Sequence, residues 1–171
     1  AANRWRLELE RHQTLMRTLA QKEARLQPLQ GRERAASADA PRHETLAVGH
    51  RSRPLRLERW IPQSPRSDQT WVLMMPGLGG DPNHFHWLAR SLMQAGWPVL
   101  VLEHPGSDAA AVQGLLEGRQ SFDGAAALRD RLADLAAVLE AQQRGDLDIP
   151  GTEVVLMGHS LGALTALLAS G

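Results

Sequence analysis

The sequence predicts an α/β fold in which helices flank a mostly parallel sheet. Three short runs, at 71–75, 99–102 and 154–157, are made almost entirely of apolar residues. Such runs are typical of strands that are buried on both faces of a parallel sheet. Helix-like segments separate the runs, and alternation of strand and helix is the signature of this fold class.

Composition limits what the chain can be. Its 171 residues are enough for one modest domain, and the lack of cysteine excludes disulfides and thiolate chemistry. No apolar run approaches the about 20 residues that a membrane-spanning helix needs, so we predict no membrane span. The net charge of zero hides an asymmetry, because residues 1–66 carry 14 basic and 7 acidic side chains and residues 67–171 carry 5 and 12.

The N-terminal part is predicted to be separate from the α/β domain. In residues 1–30 apolar side chains recur at three- and four-residue steps, which predicts an amphipathic helix. Residues 31–43 are polar, small and arginine-rich, as linkers are, and the α/β domain is predicted to span 44–171. A basic helix could bind a polyanion, but glutamates interspersed with its arginines favour a solvated face, and we predict no nucleic-acid partner.

Local patterns predict the first elements of the domain. Two extended segments, at 45–50 and 55–61, are joined by a short connection and predict an antiparallel hairpin. After the first buried strand, Asp81 can cap a helix, Pro82 fits its first turn and Gly96 fits its end.

Two more helices are predicted at 109–116 and 125–142. The core-facing residues of the longer helix are predicted from their spacing as Leu128, Leu132, Leu135, Val138 and Leu139.

The pattern G-x-S-x-G stands between the third buried strand and a helix-like run. It comprises Gly158, His159, Ser160, Leu161 and Gly162. A serine at such a sharp strand-to-helix turn has a strained backbone and an exposed hydroxyl, and the flanking positions need glycine because strand and helix crowd together there. Ser160 is therefore the candidate nucleophile. Leu161 opens a helix, so its N–H is free to bind an oxyanion.

A second glycine-rich turn, at 76–80, follows the first buried strand. Its glycines, Gly77 and Gly79 among them, let the main chain approach a ligand, and its N–H groups lie beyond any strand ladder. One of these groups can join the N–H of Leu161 in a two-donor oxyanion hole. The alternative is a plain glycine turn into a helix. A phosphate-binding loop is excluded, because the pattern G-x-x-x-x-G-K-S/T is absent.

Several histidines are further candidates. His84 and His86 are two residues apart in a predicted helix and so do not share a face, and we predict no metal site. His104 follows a strand at the same end of the sheet as Ser160, where it is a candidate pocket residue.

The order of strand, PGLGGDPNHFHWLA, strand VLVLEHPGSD, helix and VVLMGHSLGA resembles the N-terminal half of an α/β hydrolase. It is similar to the predicted dienelactone hydrolase and platelet-activating-factor-acetylhydrolase-like branch, over about residues 44–171. The resemblance implies a sheet order of 1-2-4-3-5. It also implies that Leu78 supplies the first oxyanion N–H and that the His159 side chain packs near the sheet without a chemical role. Family enzymes often have His-Gly where this chain has Pro76 and Gly77.

The resemblance implies a serine hydrolase that cleaves a carboxylic ester or related acyl bond of a small molecule through an acyl-enzyme, with no metal or organic cofactor. In this fold the acid and the histidine follow the serine, and none follows Ser160 here. We therefore expect the chain to be an internal piece, truncated after the helix that follows the serine, and inactive alone. The alternative is a non-catalytic α/β-hydrolase-like protein that binds a ligand or partner.

Overall fold

A computed structural model describes residues 40–171 of the chain. Within this range the chain forms five strands and four α-helices. The strands are β1 (Arg42–Leu46), β2 (Leu55–Trp60), β3 (Thr70–Met75), β4 (Val99–Glu103) and β5 (Glu153–Gly158). The helices are α1 (His86–Gln94), α2 (Ala109–Leu116), α3 (Gly124–Gln143) and α4 (Leu161–Ser170). The predicted N-terminal helix and most of the predicted linker lie outside the described residues.

The strands form one mixed sheet in the order β1-β2-β4-β3-β5, as the resemblance implied. β3 lies between β4 and β5 and is parallel to both, whereas β2 runs antiparallel to β1 and β4. The carboxyl ends of β3, β4 and β5 therefore meet at one edge, which is where ligands bind in open α/β sheets.

The two faces of the sheet are covered by different helices, because successive side chains of a strand point to opposite faces. Trp71, Leu73 and Met75 of β3 belong to a core cluster that includes Leu135 and Val138 of α3. The intervening residues of β3 belong to a second cluster, which includes residues of α1. The result is a three-layer helix–sheet–helix arrangement, and the α/β fold predicted from the apolar runs is confirmed.

The hairpin differs from the prediction in the position of its first strand. β1 occupies 42–46 rather than 45–50, because Leu46 pairs with Leu55 and the following residues form the turn. Within that turn the Arg51 N–H donates to the Val48 carbonyl at 3.3 Å. β1 thus begins two residues before the predicted start of the domain.

The buried stripe of α3 also differs from the prediction. Its buried residues are Arg131, Asp134, Leu135, Val138 and Ala141. The predicted leucines at 128, 132 and 139 are only partly buried, so the helix is rotated and presents two charged side chains to the interior. Both of these charged side chains have hydrogen-bond partners on other segments of the fold.

Candidate active site

Ser160 stands at the turn between β5 and α4 in a backbone conformation that L-residues rarely adopt. Its φ and ψ are 53° and −118°. A Cβ at Gly158 would overlap the backbone of Gly162, and a Cβ at Gly162 would overlap the Met75 carbonyl. The turn is thus tight enough to require both glycines. Ser160 is exposed to solvent, as a residue that reacts with a ligand must be.

The loop at 76–80 lies against this turn. A Cβ on Gly77 would be 3.0 Å from the Ser160 Cβ and 3.0 Å from the His159 carbonyl oxygen. The His159 N–H donates to the Met75 carbonyl at 3.2 Å, which ties the ends of β3 and β5 together. The two glycine-rich turns singled out in the sequence therefore meet beside the serine.

Hydrogen bonding within the loop leaves the Leu78 N–H available. The Gly79 N–H donates to the Ser107 carbonyl at 2.8 Å, and the Gly80 N–H donates to the Gly77 carbonyl at 3.1 Å. Neither the Leu78 N–H nor the Leu161 N–H has a hydrogen-bond partner among residues 40–171. Both predicted oxyanion donors are thus unoccupied within the described part of the chain.

His104 is wholly buried rather than part of an open pocket wall. Its side chain is 0% exposed, and its Nδ1 lies 2.9 Å from an oxygen of Asp134. Burial lowers its pKa to about 4, although the hydrogen bond to Asp134 acts in the opposite direction. His104 is therefore neutral near pH 7, and its Nε2 has no partner in the described residues.

Asp134 is the shared partner of several side chains. Its carboxylate accepts hydrogen bonds from Arg51, at 2.8 and 2.6 Å, and it also contacts His50 Nε2 at 2.7 Å. Burial acts to raise its pKa, but the hydrogen bonds from Arg51, His104 and His50 outweigh this and lower the pKa to about 2. Asp134 thus joins the β1–β2 turn to the end of β4.

His104 is too far from Ser160 to act on it directly. Val101 and Met157 both pair with Met74. His104 lies three residues after Val101, and Ser160 lies three residues after Met157. The two residues therefore sit two strands apart, a separation of roughly 10 Å at this edge of the sheet.

Three other histidines contact neighbours in the structure. His159 is exposed, and its Nδ1 would lie 3.5 Å from a Cβ on Gly77. His84 accepts a 3.4 Å hydrogen bond from the Asp81 N–H within a capping box, and His86 Nε2 lies 2.7 Å from Glu58.

In residues 40–171 no group of three or more histidine or acidic side chains could hold a metal ion. No helix in the described range is long and apolar enough to cross a bilayer.

Arg131 is a site residue that the sequence did not reveal. It is 1% exposed, and its guanidinium donates to Ser107 Oγ at 2.7 Å, to Thr165 Oγ1 at 3.0 Å and to the Pro76 carbonyl. Burial lowers its pKa to about 10, so it remains protonated at neutral pH. Helical spacing could have revealed its burial, because positions 131 and 134 lie on the same face of the helix as the core residues Leu135 and Val138.

Comparison with known proteins extends the fold assignment. No family model and no curated protein matches the chain in sequence. Among solved structures, a ferulic acid esterase from Streptomyces cinnamoneus is similar with a TM-score of 0.62 and 16% identity, over 77% of this chain and 54% of that chain. A lipase in its open form has a TM-score of 0.57 and 22% identity, over 77% and 40% of the two chains.

A third similar structure is an α/β serine hydrolase without a lid from Xanthomonas campestris. Its TM-score is 0.52 and its identity 22%, over 77% of this chain and 56% of that chain. The chain spans about half the length of these structures. The chain therefore has a partial α/β-hydrolase fold, and the fold that the resemblance in the sequence implied is confirmed.

Proposed function

We propose that this chain carries the nucleophile and the oxyanion hole of a serine hydrolase that cleaves a carboxylic ester or a related acyl bond. The observation that carries the proposal is the conformation of Ser160, with φ at 53° in a turn that two glycines make possible. A non-glycine residue in such a backbone conformation is strained by about 1–3 kcal/mol. The strain persists where the surrounding structure imposes it, most often at active sites. The esterase, the lipase and the serine hydrolase with the same fold support the class of reaction.

In this proposal Ser160 Oγ attacks the carbonyl carbon of a small-molecule ester. Its proton passes to a general base, the C–O bond to the leaving alcohol breaks, and an acyl-enzyme forms that water then hydrolyses. The negative charge on the carbonyl oxygen is held by the N–H groups of Leu161 and Leu78, which are both available in the described residues. Fixed donors of this kind stabilise charge that develops only in the transition state.

We propose that the general base and its orienting acid lie outside residues 40–171. His104 pairs with the buried carboxylate of Asp134, but it is itself buried and is held two strands from Ser160. In this fold the catalytic acid and the catalytic histidine follow the nucleophile in the chain. The solved structures of this fold are about twice as long as the matched part, which supports such an arrangement.

The proposal is tested with a fluorophosphonate probe and p-nitrophenyl esters on the intact protein. Wild type should be labelled at Ser160 and should hydrolyse the ester, whereas Ser160→Ala should lose labelling and lower kcat by up to about a million-fold. Ser91→Ala is the matched control, because Ser91 lies on α1 with its hydroxyl bonded to the Trp87 carbonyl. Labelling that persists in Ser160→Ala would refute the nucleophile. Absence of both labelling and turnover in folded wild type would favour a ligand-binding protein.

A further inference from the structure

Arg131 is unusual because its charged side chain is buried and no carboxylate of residues 40–171 is hydrogen-bonded to it. Its three acceptors in the described range are uncharged oxygens, from Pro76, Ser107 and Thr165. The nearby carboxylate of Asp134 is hydrogen-bonded to Arg51 and to histidines instead. Burying a charge is costly, so an arginine at this position calls for a reason beyond filling space.

The three acceptors belong to three segments that converge on the candidate active site. Pro76 begins the loop after β3, Ser107 lies in the loop after β4, and Thr165 lies on α4 one turn beyond Ser160. A guanidinium carries five N–H donors in a rigid plane, which suits it to fix several partners at once. Arg131 is thus in contact with the glycine-rich loop after β3, with the loop after β4 and with the helix that follows Ser160.

Hydrogen bonds fix three successive peptide planes of the loop. The guanidinium holds the carbonyl of Pro76, the Gly80 N–H holds the carbonyl of Gly77, and the Ser107 carbonyl holds the N–H of Gly79. All peptide bonds described are trans, so the C=O and N–H of each plane point in opposite directions. The Gly77 carbonyl and the Leu78 N–H belong to the middle plane. The direction of the Leu78 N–H is therefore set by the hydrogen bond to that carbonyl and by the two fixed planes on either side.

Arg131 acts on this geometry twice. It binds the first plane directly, and it binds the hydroxyl of Ser107, whose carbonyl holds the third plane. It also reaches the other proposed donor, because Thr165 Oγ1 accepts from Arg131 and donates to the Leu161 carbonyl at 2.8 Å. One side chain is thus linked to the backbone at both halves of the proposed oxyanion hole.

We infer that Arg131 is a positioning residue, which holds the Leu78 N–H and the Leu161 N–H at the spacing that an oxyanion requires. This inference rests on the proposed function of Ser160. Arg131 does not touch substrate, so its loss should weaken the binding of the transition state and leave the binding of the ground-state ester nearly unchanged.

The test compares Arg131→Met and Arg131→Lys with wild type in hydrolysis of p-nitrophenyl acetate and in the rate of fluorophosphonate labelling. Arg131→Met should lower kcat by about 10- to 100-fold, less than the loss of a whole donor, with KM changed by less than about threefold. Arg131→Lys should recover part of kcat, because an ammonium can reach one acceptor but not three. The labelling rate should fall in parallel with kcat.

Leu135→Ala is the matched control, since Leu135 is buried on the same face of α3 and packs in the core. It should lower Tm and leave kcat within about twofold. Arg131→Met that melts lower but keeps the wild-type kcat would overturn the inference while Ser160-dependent labelling still stands. If Arg131→Met does not fold, Ser107→Ala removes one of the three acceptors and should lower kcat by about threefold or more, and an unchanged kcat would likewise overturn it.

Discussion

Gly77 lies against Ser160 so closely that a Cβ on the glycine would be 3.0 Å from the Cβ of the serine. This contact brings the loop after β3 within reach of the turn after β5, although the two are separated by most of the domain in sequence. A Cβ at this distance is tighter than ordinary van der Waals contact, so any larger residue at position 77 has to displace one of the two turns.

We expect Gly77→Ala to lower kcat by about tenfold or more, because displacement of the loop or of the serine spoils the geometry of the reaction. Stability should fall by about 1–3 kcal/mol from overpacking. The control is Gly49→Ala, where a Cβ would meet nothing within 4 Å. Steady-state kinetics and thermal melts of both variants measure the changes in kcat and in stability. Full activity in Gly77→Ala would contradict the proposed oxyanion loop.

The strain at Ser160 can be measured separately from its chemistry. Ser160→Gly and Ser160→Ala both remove the hydroxyl and should both be inactive, but only glycine adopts a φ of 53° at low cost. We therefore expect the glycine variant to be more stable than the alanine variant by about 1 kcal/mol. Urea unfolding of the two variants gives the difference directly. Equal stability would mean that the turn imposes little strain.

Acid should destabilise the fold through His104. Its pKa is lowered by burial from 6.5 to about 4, so between these values the unfolded chain binds a proton that the folded chain does not. Stability is therefore expected to fall as the pH drops from 6.5 to 4. His104→Gln should remove this part of the pH dependence in urea unfolding. A pH profile identical to that of wild type would contradict a buried neutral imidazole.

A second acid transition is expected from Asp134. Burial acts to raise its pKa, but the hydrogen bonds from Arg51, His104 and His50 lower it from 3.8 to about 2. Its contribution to stability is present above pH 3.8 and is lost as the pH falls toward 2. Asp134→Asn should remove this step, which acid titration followed by circular dichroism would detect. A step that survives in Asp134→Asn would belong to another carboxyl group.

The exposed edge of β5 leads us to expect self-association of the 171-residue chain expressed alone. Val154 and Val155 are 36% and 41% exposed, and Leu167 on α4 is 70% exposed. Unpaired apolar edges promote pairing between chains, and a lysine on the edge opposes it. Val155→Lys should therefore reduce the aggregate seen in size exclusion with light scattering. Thr152→Lys, just before the strand, controls for added charge, and a wild-type monomer with a sharp cooperative melt would contradict this expectation.

The fold could be predicted from the sequence because its signals are local. The apolar run at 154–157 and the glycines at 158 and 162 fix a strand, a turn and a helix with no knowledge of the rest of the chain. The same is true of the Asp81 cap and the Pro82 that follows it, which the structure places in a 3₁₀ turn ahead of α1.

The buried charges could not be predicted in the same way. In the segment Arg129, Asp130 and Arg131, two residues are exposed and one is buried, and the sequence alone does not separate them by residue type. What separates them is the position of acceptors on β3, the β4 loop and α4, which only the folded chain brings together. The burial of His104 could not be predicted for the same reason, because its partner Asp134 lies 30 residues away.

The division of the core into two clusters has a consequence for how this domain can change. The loop at 76–80 is hydrogen-bonded to Arg131, on the face of the sheet that carries α3, and to Ser107 in the loop after β4. The cluster under α1 packs on the opposite face. Substitutions at well-separated positions generally add independently. Core substitutions in α1 are therefore expected to change stability with little effect on kcat, whereas a substitution of Arg131 on α3 should change both.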